Sequence, residues 1–193
     1  MNTPAMTKLN LGAGNDIRAG YINHDLVALP GIDVVHDLNC YPWPWADESI
    51  DEVVARDLLE HLDNFVTAME ELHRILRPGG KAKVQVPYWN SWCRHADPTH
   101  KRGFHELAFQ FFDPRSVYCQ ERHYYSTARF YVVQEWFVIA PLSPYFAIPG
   151  VGEIRIKNAK AKRILGLIGN TFSNIILDLD LVLEKPALPG AGS

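Results

Sequence analysis

The sequence predicts an open, mainly parallel α/β sheet in a single domain over residues 1–193. Three observations predict it. Short alternating apolar segments recur through the first half of the chain. One clear amphipathic helix separates the fourth of these from the fifth. Each of the first three ends in residues suited to the binding edge of a parallel sheet: a glycine turn, then an acid, then an acid.

The elements follow in order. Leu9 and Leu11 alternate with polar neighbours and lead into Gly12 and Gly14, where a backbone can turn sharply and approach a ligand closely. Asn15–Gly20 is too short for a full helix. Tyr21–Asp25 and Ile32–Asp37 are the second and third strands, with a Leu29-Pro30-Gly31 turn between them. Residues 40–48 form a loop rich in Pro, Trp and acid, and Ile50–Ala55 is the fourth strand.

Phe65, Met69, Leu72 and Leu76 then recur at helical spacing, with Asp63 as the expected N-cap and Glu70–Arg74 as a pair one turn apart. Arg77-Pro78-Gly79-Gly80 ends the helix, and Lys81–Tyr88 is the fifth strand. Residues 88–146 hold sixteen of the 22 aromatics, so a bulky apolar layer is expected there. A helix is expected over Phe104–Phe112, a sixth strand over Phe130–Ile139, and a helix over Lys157–Asn174 with Ile164, Ile168 and Phe172 on one face. Ile176–Leu183 is the final strand, and the ends, 1–7 and 186–193, read as loose.

Composition narrows the function. A net charge of −3 gives no overall footprint for nucleic acid. Cys40, Cys93 and Cys119 have neither metal-pair spacing nor a disulfide framework, so a reducing cytoplasm is expected. No apolar run is long enough to span a bilayer. The basic residues of 155–172, from Arg155 to Arg163, form either a solvated helix face or a membrane-surface contact.

At the strand ends, backbone N–H groups of the glycine turn can hold a carboxylate or phosphate. Asp25 can accept both hydroxyls of a ribose, and Asp37 can meet an adenine amino group. Singly, such acids are also common turn formers. Their order, turn then acid then acid, favours a nucleoside site.

With these residues in view, the chain resembles the class I S-adenosylmethionine-dependent methyltransferases, of the small type 11 kind. The resemblance rests on Leu9–Gly14, Gly20–Leu26, Asp33–Leu38, Ile50–Leu62 and Glu71–Gly80, and the last two stretches are its most specific part. It implies a Rossmann-like seven-stranded sheet with helices on both faces and the last strand antiparallel. It implies S-adenosylmethionine as cofactor and S-adenosylhomocysteine as product. Gly12 and Gly14 would lie under the methionine, Asp25 on the ribose, and Asp37 with Leu38 beside the adenine. Arg56 and Asp57 would face the methionine and the acceptor entry, with Asn10, Ala13 and Leu26 completing the set. The chain departs from the family where a full first helix is usual, because only Asn15–Gly20 is available. A third glycine is also missing.

The acceptor side is expected in Asn90–Phe104, which leaves the fifth strand at the same edge. His100 and His95 are the candidate bases, Asp97 their orienting partner, and His61 a further candidate. His95, Asp97 and His100 match no trusted metal spacing, so no metal is expected. The expected acceptor is a small molecule or saccharide offering O, N or C. Two other readings compete: a non-catalytic S-adenosylmethionine-binding module, and an NAD or other nucleotide enzyme on a similar sheet. Against the latter, the turn lacks the full Gly-x-Gly-x-x-Gly pattern. Oligomeric state is not legible.

Overall fold

The computed structural model describes residues 6–139 and 152–187, so the expected loose ends fall mostly outside it. Its sheet is built from β1 (Lys8–Leu11), β2 (Ile22–Asp25), β3 (Val34–Val35), β4 (Ile50–Arg56), β5 (Leu76–Pro87), β6 (Tyr131–Ile139), β7 (Ile154–Ile156) and β8 (Asp178–Glu184). The order is β3-β2-β1-β4-β5-β8-β6-β7. The first five strands are mutually parallel, and β8 enters antiparallel between β5 and β6. The sheet therefore has eight strands rather than the expected seven. The extra one is β7, a three-residue edge strand paired antiparallel to β6. Three residues are too few to show a period of two, so Arg155 read only as the start of a basic stretch.

Period two assigns the faces. Leu9 and Leu11 stand beside Val53 and Ala55, which stand beside Ala82 and Val84, and then Leu183 and Leu181. This first face carries the core. Helix α1 (Phe65–Ile75) lays Ala68, Met69, Leu72 and Ile75 on it. Asn64, not Asp63, caps the helix, accepting from Val66 N and Thr67 N at 3.0 and 3.2 Å. After the short helix α2 (Trp92–Ala96), α3 (Leu107–Gln110) adds Phe109, in edge contact with Phe65. The expected helix over Phe104–Phe112 thus shrinks to four residues. Phe104 instead bridges Tyr88, and another short helix, α4, follows at Val117–Glu121.

Helix α5 (Ala159–Thr171) also packs on the first face, where Lys162 pairs with Glu135 at 2.5 Å and lies over the Phe137 ring. It approaches through Gly166 and Gly169, which are buried, while Ile164, Leu167, Ile168 and Phe172 face outward. A Cβ on Gly169 would meet the Ile176 side chain at 3.0 Å, so a larger residue there would have to displace it. Helices were expected on both faces. Among the described residues, α1, α3 and α5 gather on the first face. The second carries Val54, Lys83, Gln85, Trp136 and Asp180, which line an open cavity of about 330 Å³ with Arg18 and Arg155. No helix among the described residues is long and apolar enough to cross a membrane.

Loops do the work of the missing helices. Only ten residues join β1 to β2, short of the dozen or more that a helical crossover needs. They cross the second face as irregular backbone, tied to Asn10 and Asn23. The loop between β3 and β4 covers the first face with Trp43 and Trp45. Arg74 holds it, donating to the carbonyls of Trp45 and Trp43 at 2.8 and 3.0 Å and to Asp47 and Glu71. Arg74 therefore pairs with Glu71 rather than the expected Glu70, which accepts instead from Ser126.

At the far end of α1, Lys185 is 7% exposed. It donates to Glu48 and to the carbonyls of His73 and Leu76 at 2.8–3.1 Å. A cation suits a helix carboxyl end, and these charge-assisted bonds tie β8 to α1. Lys185→Met is expected to cost about 2 kcal/mol in urea unfolding, from orphaned carbonyls and lost charge-assisted bonds. Nearby, burial first, then Lys185 and Arg129, push the His73 imidazole down to about 4 from 6.5. Its contribution to stability is complete above pH 6.5 and is lost as pH falls toward 4. His73→Gln should therefore flatten the stability profile across that window, read by urea unfolding at several pH values.

Candidate functional site

The sheet changes winding direction at β1, with β2 and β3 to one side and β4 and β5 to the other. A crevice outside the carboxyl ends of the strands is where such sheets bind ligands. A cavity of about 460 Å³ lies there, lined by residues from the ends of β1, β2, β3 and β4 and by the loop after β5.

Gly12 forms its floor at φ +62°, a left-handed conformation natural to glycine. A Cβ there would meet Leu58 at 3.0 Å. Asp25 stands opposite. One of its carboxylate oxygens accepts from Gly14 N at 2.8 Å and the other from Val27 N at 3.1 Å. Two backbone donors thus fix the carboxylate, and each oxygen keeps acceptor capacity for a ribose hydroxyl. Asp37 accepts from Asn39 N at 2.9 Å through one oxygen. That bond also makes it the turn former after β3. Leu26, Leu38 and Leu58 supply apolar walls. Leu38 is locked from behind, its carbonyl accepting from the Trp43 indole at 3.0 Å.

Of the residues expected to hold a cofactor, Gly12, Asp25, Leu26, Asp37, Leu38 and Asp57 line this cavity. Asp57 sits at φ +48°, a strained conformation for a non-glycine residue, immediately after β4. Ala13 and Gly14 lie just behind, with Ala13 N bonded to the His24 carbonyl at 2.8 Å. Asn10 is 3% exposed and belongs to the sheet. Its amide donates to Asn23 Oδ1 at 3.1 Å and to the Asp16 carbonyl at 2.8 Å. Arg56 points to the second face, donating to Gln85 at 2.8 Å and lining the smaller cavity. Alternation along β4 sets that direction, opposite to Ala55.

The acceptor-side residues separate in the same way. Residues 89–103 leave β5 and return as a closed excursion, pinned at its base by Trp89 N to Phe104 O at 3.0 Å and Phe104 N to Pro87 O at 2.9 Å. It is stitched to the segment after β4 through Lys101 N to Glu60 O, and through Arg102 to the carbonyls of Leu62 and Asp63. His95, on α2, is exposed and outside the cavity lining. Asp97 is exposed and accepts from Thr99 N at 2.7 Å and Thr99 Oγ1 at 2.6 Å, bonds that hold its carboxyl below the usual range.

His61 lines the cavity, and its Nδ1 lies 3.0 Å from Thr99 Oγ1. The Thr99 hydroxyl gives its proton to Asp97, so the oxygen accepts from His61. Nδ1 then carries the proton and Nε2 carries a lone pair. Burial, then His100, lower the His61 pKa and favour this neutral form. His100 packs edge-on against His61 at 4.7 Å, with Nε2 3.8 Å from Glu60. Glu60 itself has no exposure, and burial pushes its carboxyl up to about 8. The sequence reading missed Glu60 as a chemical group, and Leu58, Thr99 and Lys101 as cavity lining. Thr99 stood inside a stretch already singled out. Glu60 carried no signal beyond its place next to His61.

Comparison with known proteins agrees with this geometry. Residues 9–84 match the family described as "Methyltransferase domain". Over that stretch the chain is similar to methyltransferase domains. A SAM-dependent methyltransferase from Archaeoglobus fulgidus is similar over 94% of this chain and 87% of its own, at 16% identity and a TM-score of 0.61. A possible histamine N-methyltransferase from Thermotoga maritima is similar over 95% and 84%, at 13% identity and 0.59. The [4+2]-cyclase SpnF is similar over 95% and 76%, at 13% identity and 0.56. At such identities the likeness is one of fold. A search of curated proteins returns no match. The methyltransferase domain implies S-adenosylmethionine as its cofactor. The residues present fit it: an anchored carboxylate for the ribose, an acid and apolar walls for the adenine, and a glycine floor.

Ribose hydroxyls on an anchored carboxylate make bonds worth about 1.5–3 kcal/mol each. Asp25→Ala is therefore expected to weaken S-adenosylhomocysteine binding at least tenfold by calorimetry in a folded protein. Asp37→Asn should cost less, because an amide oxygen still accepts. Equal losses would make Asp37 only the holder of its turn.

Proposed function

We propose that this methyltransferase carries the methyl of S-adenosylmethionine to an oxygen, nitrogen or carbon nucleophile of a small molecule, with hydroxylated compounds, saccharides among them, as the leading class. One observation supports this most. A single cavity of about 460 Å³ joins the nucleoside-binding acids, Asp25 and Asp37, to Asp57, His61 and Thr99. Its size is within the range of small-molecule sites. The transfer is a direct displacement. The sulfonium supplies the activated methyl, and the chain has to bind, align and exclude water.

In this reading Asp25 and Asp37 hold the nucleoside and Gly12 underlies the methionine. The excursion over residues 89–103 covers the acceptor end and shields it from water. His61 faces the acceptor end of the cavity. Of the expected bases, His100 stands behind it, Asp97 orients it through Thr99, and His95 has no part. The same stitching of the excursion to Glu60, Leu62 and Asp63 supports a built cover over the site. The unpaired cysteines, Cys40, Cys93 and Cys119, suit a reducing compartment and support a cytoplasmic location.

A second reading, a binder without transfer, is favoured by the ten-residue connection after β1. It offers no helix N-terminus for the methionine carboxylate. The same absence counts against a dinucleotide, whose pyrophosphate needs that helix more.

Methyl-labelled cofactor incubated with panels of phenols, hydroxy acids, sugars and amines separates the readings. Labelled product with one equivalent of S-adenosylhomocysteine from one class is expected. Tight S-adenosylhomocysteine binding with no labelled product in any class would select the binder.

A further inference from the structure

We propose that Glu60, His61 and His100 form a binding site for a divalent transition cation, with an open position toward the cofactor cavity. Each of the three offers a ligand atom, and these atoms lie within 4.8 Å of one another. Glu60 is fully buried, and neither of its carboxylate oxygens has a hydrogen-bond partner among the described residues. His100 Nδ1 is likewise buried and without a partner. Buried polar groups in folded proteins are almost always satisfied, and an unsatisfied carboxylate is among the costliest exceptions.

Glu60 and His100 approach no closer than 3.8 Å, beyond hydrogen-bond reach. A cation among the three would give the buried Glu60 carboxylate the partner it lacks.

The surroundings match a metal site on a second, independent point. A metal-binding histidine usually donates its other ring N–H to an acceptor that fixes tautomer and orientation. His61 does this at Nδ1, to Thr99 Oγ1 at 3.0 Å, and Asp97 holds Thr99 in turn at 2.6 Å. That leaves His61 Nε2 with its lone pair free for a metal. Two imidazoles and one carboxylate favour ions such as Zn²⁺ or Fe²⁺ over Mg²⁺ or Ca²⁺. Bonds of about 2.0–2.2 Å require the ligand atoms to draw together on binding. Three protein ligands leave at least one position open, and His61 turns it toward the cavity.

This deepens the proposed function and rests on it only for the ion's role. An acceptor hydroxyl at the open position ionises more readily. Its proton leaves to water and its oxygen bonds the methyl carbon. The carbon–sulfur bond breaks, with its electron pair remaining on sulfur.

The test is calorimetric titration of chelator-treated protein with Zn²⁺ and with Mg²⁺. Visible absorption of the Co²⁺ form serves as a second readout, and S-adenosylhomocysteine is titrated separately. One equivalent of Zn²⁺ is expected, with Mg²⁺ far weaker. Glu60→Gln and His100→Asn should each weaken Zn²⁺ at least tenfold and shift the Co²⁺ bands, with S-adenosylhomocysteine affinity retained. Two variants guard against one failing to fold. No stoichiometric Zn²⁺ in the wild-type protein, or unchanged affinity in a folded variant, overturns the site. Retained S-adenosylhomocysteine binding in that case leaves the methyltransferase reading standing. Loss of that binding in the wild-type protein would count against the cofactor site instead.

Discussion

The buried contact between Asn10 and Asn23 is the constraint on which the cofactor edge depends. These side chains are 3% and 4% exposed and sit side by side on β1 and β2. Asn10 donates to Asn23 and to the Asp16 carbonyl. Asn23 in turn accepts from Arg18 N at 2.9 Å and donates to the Arg18 carbonyl. Its backbone N–H goes to Asp33 at 2.7 Å. Two amides thus anchor both ends of a connection with no helical bonds of its own. Each such bond contributes about 1 kcal/mol net, but orphaning a buried amide costs more. The pair also keeps Gly14 N within reach of Asp25, the contact that aims the carboxylate at the cavity. A local polar network here does what a helix usually does in this sheet.

The rest of the edge is held in a similar way, by side chains reaching from regular elements into loops. Arg74 and Glu71, on α1, fix the loop carrying Trp43 and Trp45, and Trp43 fixes Leu38 beside the cavity. Asp97 and Thr99 fix His61 from the excursion after β5. The site is therefore largely formed before any ligand arrives, which reduces the ordering cost of binding. The cost of this economy is a sheet with its described helices on one side. Its second face closes with ion pairs instead, such as Lys83–Glu52 at 2.8 Å and Arg155–Asp180 at 2.5 Å.

Much of this was legible in the sequence, for physical reasons. Leu9, Leu11 and the strand-end acids carry the period and the chemistry of a parallel edge within a few residues of one another. What was not legible depended on partners distant in sequence. The apolar stripe Ile164, Ile168 and Phe172 read as the packed face of α5, yet Gly166 and Gly169 face the core, because backbone proximity there outweighs side-chain area. Helical spacing allowed Arg74 either Glu70 or Glu71. The loop carbonyls of Trp43 and Trp45 decided it by placing Arg74 beside Glu71. The resemblance implies a place at the cofactor for Arg56, the last residue of β4, although alternation with Ala55 points it to the second face. Glu60 carried no signal of its own beside His61, because burial without a partner is a property of three dimensions only.

A crystal structure of the S-adenosylhomocysteine complex tests the central claim most directly. The account predicts both ribose hydroxyls within hydrogen-bond distance of the Asp25 carboxylate. It also predicts that the Asn10–Asn23 contact is kept and that residues 12–20 follow the same non-helical course. A nucleoside seated in the cavity of the second face, or residues 15–20 rewound into a helix with the asparagine pair broken, would contradict it.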